Sequence, residues 1–210
     1  DFCDIRDRKA FDPTARSLTH MKASPSPSGL TFRRVYHYPF WQIDSSDKRW
    51  DWDVAKSLFD PTLIEGKEAD RFYNFWRKRL FDKAIPKGDD GFIYVPLQGR
   101  LLDRRSFQSC SPIEMIERTL ATFPKRKIIA TLHPKETYSK PELAAVERLE
   151  QTYQNLELRL GQMDNLLDRC AFVVTQNSSA AFNGYFFGKP AVLFGKIDFH
   201  HIALDGMEVD

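Results

Sequence analysis

Short apolar runs and amphipathic stretches alternate regularly along the second half of the chain, from Phe92 onward. Five apolar runs of strand length predict β-strands at residues 92–97, 127–132, 156–160, 171–175 and 191–194. Capping-box sequences at Ser111–Glu114 and Ser139–Glu142 predict helices that end near residues 123 and 153, and a shorter helix is predicted at residues 163–169. Strands and helices that alternate in this way are typical of a doubly wound parallel sheet, so we predict an α/β fold for residues 89–210.

The first 88 residues have a different pattern and form a second portion of the chain. Residues 1–38 show no clear periodicity, and the Pro/Ser-rich segment Ala23–Gly29 excludes a helix or a central strand there. Phe72, Phe75 and Trp76 are spaced by three and four residues, which predicts a helix at residues 66–81 whose aromatic stripe belongs to the core. We therefore predict a loop-rich, then mainly helical and aromatic-rich portion for residues 1–88.

Polar residues follow three of the predicted strands at the point where each strand ends. They are Gln98 to Asp103 after the first strand, His133-Pro134-Lys135 after the second, and Asn177-Ser178-Ser179 after the fourth. Ligands of parallel α/β sheets bind beyond the carboxyl ends of the strands. We therefore expect these three polar sets to converge at one edge of the sheet.

Ser178 and Ser179 stand where a strand turns into a helix, and two interpretations of them are open. A helix N-terminus has unpaired N–H groups and a positive dipole end, so the serines could add hydroxyl donors to an anion site. Serine is also among the preferred N-cap residues of any helix. The expected convergence with the other strand ends favours the anion site.

His133 and Asp103 are the candidates for chemistry at the other strand ends. Pro134 holds His133 in an extended conformation, from which the imidazole could donate to a phosphate, although a histidine that merely closes a strand is the alternative. Asp103 precedes Arg104 and Arg105, so it could serve as a nucleophile or base with a lowered pKa, or simply form an ion pair on the surface.

Composition excludes several classes of protein. With 31 Lys and Arg against 29 Asp and Glu, the formal net charge is +2, so the chain has no overall field for binding nucleic acid or an anionic membrane. Cys3, Cys110 and Cys170 are widely spaced and indicate neither a disulfide framework nor a zinc knuckle, and His200-His201 lacks a second ligand pair, so we predict no metal site. The sequence contains no apolar run of the length of a membrane span, no Walker motif, no G-x-G-x-x-G and no G-x-S-x-G. The absence of an initiator Met leads us to expect a segment of a longer chain.

The order of these motifs resembles that of the bacterial capsule polysaccharide biosynthesis proteins, which include β-Kdo glycosyltransferases. The resemblance rests on Val95-Pro-Leu-Gln98, Asp103, Leu132-His-Pro134, Thr175-Gln-Asn-Ser-Ser179 and Gly188-Lys-Pro-Ala-Val192. The aromatic segments Pro39-Phe-Trp-Gln42, Asp51-Trp-Asp-Val-Ala55 and Phe59-Asp-Pro61 extend it, so that it runs from about Tyr38 to His201. Bacterial sialyltransferases share the His-Pro and Ser-Ser pairs.

The resemblance implies a GT-B glycosyltransferase whose C-terminal, Rossmann-like half is represented by residues 89–210. It implies that His133 and Pro134 contact the CMP part of a CMP-activated sugar, for which CMP-Kdo is the expected candidate, and that Ser178 and Ser179 bind its phosphate. Gln98 and Asn177 are placed in the same nucleotide-binding set, and Asp103 matches the candidate nucleophile of a retaining transfer. The resemblance further implies that no cofactor or metal is needed.

The same resemblance gives expectations about partners and location. We expect a nucleotide-sugar donor, a glycan or glycolipid acceptor, a cytoplasmic location and peripheral association with a membrane-bound polysaccharide assembly complex. Asn183 stands where related proteins often have an acidic residue, and Arg104-Arg105-Ser106 differs from the usual sequence after the aspartate. These differences leave two alternatives open: a non-catalytic nucleotide- or glycan-binding module of the same fold, or an enzyme that uses a UDP- or GDP-sugar.

Overall fold

The structure is a computed structural model that describes residues 16–82 and 88–209. The chain divides into two compact units, one that runs to Ser57 and one that begins at Leu58. The predicted domain boundary between residues 88 and 89 stays a prediction. The helix at Gly66–Phe81 precedes that boundary in the sequence, and its contacts group it with the second unit. Cys3 lies outside the described residues.

The first unit contains a small sheet that the sequence pattern did not predict. Its strands are β1 (Leu18–His20), β2 (Leu30–Arg34) and β3 (Trp41–Asp44), with β1 parallel and β3 antiparallel to β2. A 3₁₀ turn at Arg49–Asp51 and the short helix α1 (Asp53–Lys56) follow. The buried Asp44 accepts a hydrogen bond from the Asp53 N–H at 3.1 Å, which ties β3 to the start of α1.

The second unit begins with a 3₁₀ turn at Pro61–Leu63 and the helix α2 (Gly66–Phe81), whose bounds agree with the prediction. The predicted core position of its aromatic stripe is wrong, because Phe72 and Phe75 are about half exposed. The helix instead packs through its other side. The Tyr73 hydroxyl donates to the Phe186 carbonyl at 2.9 Å, and the Phe81 ring lies 5.0 Å from that of Phe187.

The rest of the second unit confirms the predicted parallel α/β fold. In chain order its elements are β4 (Ile93–Pro96), α3 (Pro112–Thr122), β5 (Ile128–Leu132), α4 (Lys140–Thr152), β6 (Leu156–Leu160), α5 (Met163–Leu167), β7 (Phe172–Thr175), α6 (Ser179–Tyr185), β8 (Ala191–Leu193) and β9 (Leu204–Asp205). The strands pair in the order β6-β5-β4-β7-β8-β9, and every pair is parallel. Counted from β4, this is the 3-2-1-4-5-6 order of a Rossmann sheet.

The core lies between the sheet and helices α3 and α4. Ile93 and Val95 of β4, Ile128 of β5 and Ile116 and Val146 of the two helices are all fully buried. Burial of each such side chain contributes roughly 1.5–3 kcal/mol relative to exposure. Both predicted capping boxes form: Glu114 accepts from the Ser111 N–H at 2.7 Å, and Glu142 accepts from the Ser139 N–H at 2.8 Å.

Gly195 fixes the position of the loop that follows β7. A Cβ atom at this position would lie 2.9 Å from the Gln176 carbonyl oxygen and 3.3 Å from that of Phe107, and backbone atoms cannot move away cheaply. We expect Gly195→Ala to lower the free energy of unfolding by about 1–3 kcal/mol, the usual cost of overpacking.

Gly66 offers a matched control, since a Cβ there would meet nothing within 4 Å. Gly66→Ala should leave stability unchanged or raise it by up to about 1 kcal/mol, because Ala is the better helix former. Urea unfolding of both variants checks the pair, and equal stabilities would contradict the close approach at Gly195.

Candidate functional site

A cleft of about 440 Å³ opens at the carboxyl ends of four parallel strands. It is lined by residues from four segments: 94–97 at the end of β4, 131–134 at the end of β5, 161–165 in the turn after β6 and the first turn of α5, and 178–180 at the start of α6. β4 pairs with β5 on one side and with β7 on the other, so the order of the strands along the sheet reverses direction at β4. This switch point is where ligands of doubly wound sheets bind.

His133 lines the cleft from the end of β5 with a fixed ring orientation. Its Nδ1 accepts a hydrogen bond from the Lys135 N–H at 3.2 Å, and its own backbone N–H donates to the Tyr138 hydroxyl at 2.8 Å. Because Nδ1 is the acceptor, the neutral ring carries its proton on Nε2. His133 can therefore offer an Nε2–H donor while its other ring nitrogen is occupied by the turn.

The two serines divide the roles that the sequence left open. The Ser178 hydroxyl accepts a hydrogen bond from the Ala180 N–H at 3.2 Å and is the N-cap of α6. Ser179 is exposed and also lines the cleft. One serine therefore satisfies the helix, and the other presents its hydroxyl to the cleft.

Three predicted site residues are not among the residues that line the cleft: Gln98, Asp103 and Asn177. Asp103 is exposed and follows a turn in which its N–H donates to the Arg100 carbonyl at 3.3 Å. Asn177 is half-buried beside the capping serine. Gln98 is also half-buried, and its Oε1 is a buried atom without a hydrogen-bond partner among the described residues.

The loop that carries Asp103 is held by hydrogen bonds that do not involve the Asp103 carboxylate. Arg104 Nε donates to the Gln108 carbonyl at 3.0 Å, and an Arg105 guanidinium N–H donates to the Gly99 carbonyl at 3.1 Å. Glu142 Oε1 accepts from the Leu101 N–H at 2.6 Å, so one carboxylate joins this loop to the start of α4. Hydrogen bonds, first from Ser139, lower the pKa of Glu142, which keeps it ionised for this role.

The sequence analysis named no site residue in the turn after β6 or in the first turn of α5, yet these segments contribute Gln162, Asp164 and Asn165 to the cleft. Gly161 and Gln162 both have positive φ, 65° and 66°, and these left-handed residues turn the chain into α5. The glycine could have signalled a turn, but nothing in the sequence shows that the turn faces His133.

Tyr94 and Thr131 also line the cleft, and their hydroxyl oxygens lie 3.2 Å apart. Burial is the main cause that raises the pKa of Tyr94 to about 12. The cleft combines the His133 imidazole and the hydroxyls at the start of α6 with the amide of Gln162, in the turn before α5, and the carboxylate and amide of Asp164 and Asn165, in the first turn of α5.

Within residues 16–82 and 88–209, no group of three or more His, Cys, Asp or Glu side chains could hold a metal ion. His200 contacts the Ile197 carbonyl through Nδ1, and burial followed by the charge of His200 lowers the pKa of His201. In the same described ranges, no helix has the length and hydropathy needed to cross a membrane.

Comparison with known proteins bears on the fold. No family model and no curated protein matches the chain. Among solved structures, the chain is similar to Thermosulfurimonas dismutans KpsC, a beta Kdo 2,7 transferase, with a TM-score of 0.58 and 15% sequence identity. The similarity covers 88% of this chain and 66% of the KpsC chain, so this chain spans only that part of the KpsC length. It shows a Rossmann-like α/β fold that this chain shares with a glycosyltransferase.

The division of roles between the serines predicts that only one of two neighbouring substitutions lowers stability. Ser178→Ala removes the N-cap hydroxyl and should lower the free energy of unfolding by about 1 kcal/mol. Ser179→Ala is its matched control, because the Ser179 side chain is exposed and should change stability by less than about 0.5 kcal/mol. Urea unfolding measures both, and equal losses would show that the cap is shared.

Proposed function

We propose that the chain is a glycosyltransferase that binds a CMP-activated sugar in the cleft at the switch point between β4 and β7. The observation that carries the proposal is the meeting of His133, from the end of β5, with Ser178 and Ser179, from the end of β7, in one cleft. The likeness to a Kdo transferase supports a transferase in general, and the choice of CMP and Kdo rests on the sequence motifs.

The donor groups of the cleft suit a ligand with a single phosphate. The Nε2–H of His133 and the exposed hydroxyl of Ser179 can each donate to a phosphate oxygen, and hydrogen bonds to a charged group are stronger than neutral ones. As the sugar leaves, negative charge grows on that phosphate, and donors that are already oriented stabilise it. Pro134, next to His133, offers an apolar surface to the nucleoside.

Asp164 is the carboxylate of the cleft that could accept hydrogen bonds from the ribose. A carboxylate repels a phosphate, so in a nucleotide site it must face neutral donor groups, such as the ribose hydroxyls. Asp164 lines the same cleft as His133 and Ser179, and we assign it to the ribose. This assignment replaces the acidic position that the resemblance expects at Asn183, which is buried in α6.

Asp103 is proposed as the nucleophile of a retaining transfer. Its carboxylate would form a bond to the anomeric carbon while the bond to the CMP oxygen breaks, and CMP would leave with the electron pair. An acceptor hydroxyl oxygen would then bond to the anomeric carbon while the bond to Asp103 breaks, the electron pair would return to the Asp103 carboxylate, and the hydroxyl proton would pass to solvent. The acceptor would be a glycan or glycolipid of a capsule or other surface polysaccharide.

The position of Asp103 outside the cleft lining favours a second candidate, a non-catalytic module that binds a nucleotide or glycan. CMP binding without turnover of any CMP-sugar would support this module. Tighter binding of UDP or GDP than of CMP would instead indicate a different donor.

Titration calorimetry with CMP tests donor binding on the intact chain. His133→Ala, Ser179→Ala and Asp164→Ala should each weaken CMP binding by about tenfold or more, since each removes a hydrogen bond that involves a charged group. Glu147→Ala, an exposed residue of α4, is the control and should bind CMP as the wild type does. Failure of the wild-type protein to bind CMP would end the proposal.

Replacement of Asp103 separates chemistry from binding. Asp103→Ala should abolish sugar transfer, by about 10³-fold or more if a covalent step is lost, and leave CMP affinity nearly intact. The measurements are CMP release from CMP-Kdo in the presence of acceptor and CMP titration of the same variant. Unchanged turnover would remove Asp103 from the mechanism.

A further inference from the structure

The helix α2 lies on the surface of the second unit and contributes no residue to the core. All of its residues from Gly66 to Phe81 are described, and none of them is buried. Tyr73 and Phe81 hold it against the end of α6, where their rings lie 6.1 Å and 5.8 Å from that of Phe186. Helices in proteins obtain most of their stability from packing an amphipathic face, so a helix of 16 residues without a buried one indicates a face that another surface covers.

A single row of side chains runs along the exposed side of α2. It consists of Glu68, Phe72, Phe75 and Arg79, whose spacings of four, three and four residues place them on one side of a helix. We call this row the exposed stripe. Phe72 is 52% exposed and Phe75 56%, and both charged residues are exposed as well. The Trp76 ring lies beside the stripe, 5.2 Å from that of Phe75. Such a contiguous apolar patch with a polar rim marks an interaction site.

The order of residues in the exposed stripe is complementary to its own reverse. Glu68 and Arg79 lie equally far from the middle of the stripe, on either side of it, and so do Phe72 and Phe75. If two copies of α2 lie antiparallel with these middles facing each other, Glu68 of each copy meets the partner's Arg79, and Phe72 meets the partner's Phe75. A two-fold axis requires this reciprocity, because each contact across it occurs twice with the two roles exchanged.

Charge favours this antiparallel arrangement in two ways. The two contacts between Glu68 and the partner's Arg79 pair opposite charges, and the positive end of each helix dipole lies beside the negative end of the other. The other charges of α2, among them Arg71 and Lys78, lie beside the stripe and are exposed, so solvent and salt screen the repulsion between them.

The same charges distinguish between classes of partner. Nucleic acid presents negative charge alone, so it would pair with Arg79 and be repelled by Glu68. A second copy of the chain satisfies both ends of the exposed stripe at once and covers the two phenylalanines with equivalent rings. The observations therefore favour self-association.

We propose that α2 pairs with α2 of a second copy of the chain in an antiparallel, two-fold symmetric contact. The phenylalanine rings exclude water at its centre, and the contacts between Glu68 and the partner's Arg79 fix direction and register. A contact based on one helix from each copy is small for a protein–protein interface, so we expect a weak dimer with a Kd of about 1–100 μM. The inference is independent of the proposed function, because it uses no residue of the cleft.

Sedimentation velocity of the intact chain, from about 1 μM to about 1 mM, measures the dimer. Glu68→Arg and Arg79→Glu each place like charges opposite one another at both contacts and should weaken the dimer by about tenfold or more. Asp70→Arg is the control on α2, because Asp70 is exposed on the side away from the stripe, and Lys125→Glu is the control outside α2. Each control should change the Kd by less than about twofold. Circular dichroism and urea unfolding report the folding of each variant.

A mixture of the two charge variants tests the register itself. The exposed stripe of Glu68→Arg has two positive ends, and that of Arg79→Glu has two negative ends. Each variant alone therefore repels its own copy, whereas an equimolar mixture should form a heterodimer with a Kd within about threefold of the wild-type value. The double variant Glu68→Arg/Arg79→Glu restores opposite charges at both contacts and should dimerise as the wild type does.

Three results would overturn the proposal. The first is a monomer over the whole concentration range, which would assign the exposed stripe to a different partner. The second is a dimer whose Kd neither charge variant changes, which would place the contact at another face. The third is a pair of weakened variants whose mixture does not associate, because Glu68 and the partner's Arg79 then do not meet.

Discussion

The pairing of β4 with β5 on one side and β7 on the other is the constraint on which the candidate site depends. Because all six strands are parallel, their carboxyl ends lie along one edge of the sheet. Because the order reverses at β4, the connections after β4 and β7 leave toward opposite faces of the sheet and open a cleft between them. His133 and Ser179 meet there although they follow different strands that lie far apart along the chain.

Within the cleft, the atoms that accept hydrogen bonds from the backbone differ from the atoms that remain available to a ligand. Ser178 caps α6, which leaves the hydroxyl of Ser179 at the cleft. His133 accepts the Lys135 N–H through Nδ1, which leaves Nε2–H as a donor. Since the turn after β5 is satisfied without ligand, the His133 ring is oriented before a phosphate arrives. Such preorganisation is what stabilises charge that develops on a leaving group.

The sequence predicted those parts of the molecule that depend on local pattern. Five of the six strands from Phe92 onward, the capping boxes and the meeting of His133 with Ser178 and Ser179 follow from periodicity and from one rule about strand ends, whereas β9 was not predicted. The turn at Gly161 and Gln162 was missed because a left-handed Gln has no sequence signal. The sheet β1-β2-β3 was missed because short strands separated by a Pro/Ser loop depend on non-local pairing, and its buried side is polar.

Asp103 shows that a match to a sequence motif does not by itself place a side chain in the candidate site. The sequence places it after β4, but in the structure Arg104, Arg105 and Glu142 hold the backbone of its loop, and Asp103 does not line the cleft. The central claim, that this cleft is a nucleotide site, does not depend on it. A crystal structure of the chain with CMP tests that claim most directly. If the cleft is a nucleotide site, the CMP phosphate lies within hydrogen-bond distance of Ser179 Oγ and His133 Nε2. CMP bound elsewhere, or an empty cleft at saturating CMP, would contradict that claim.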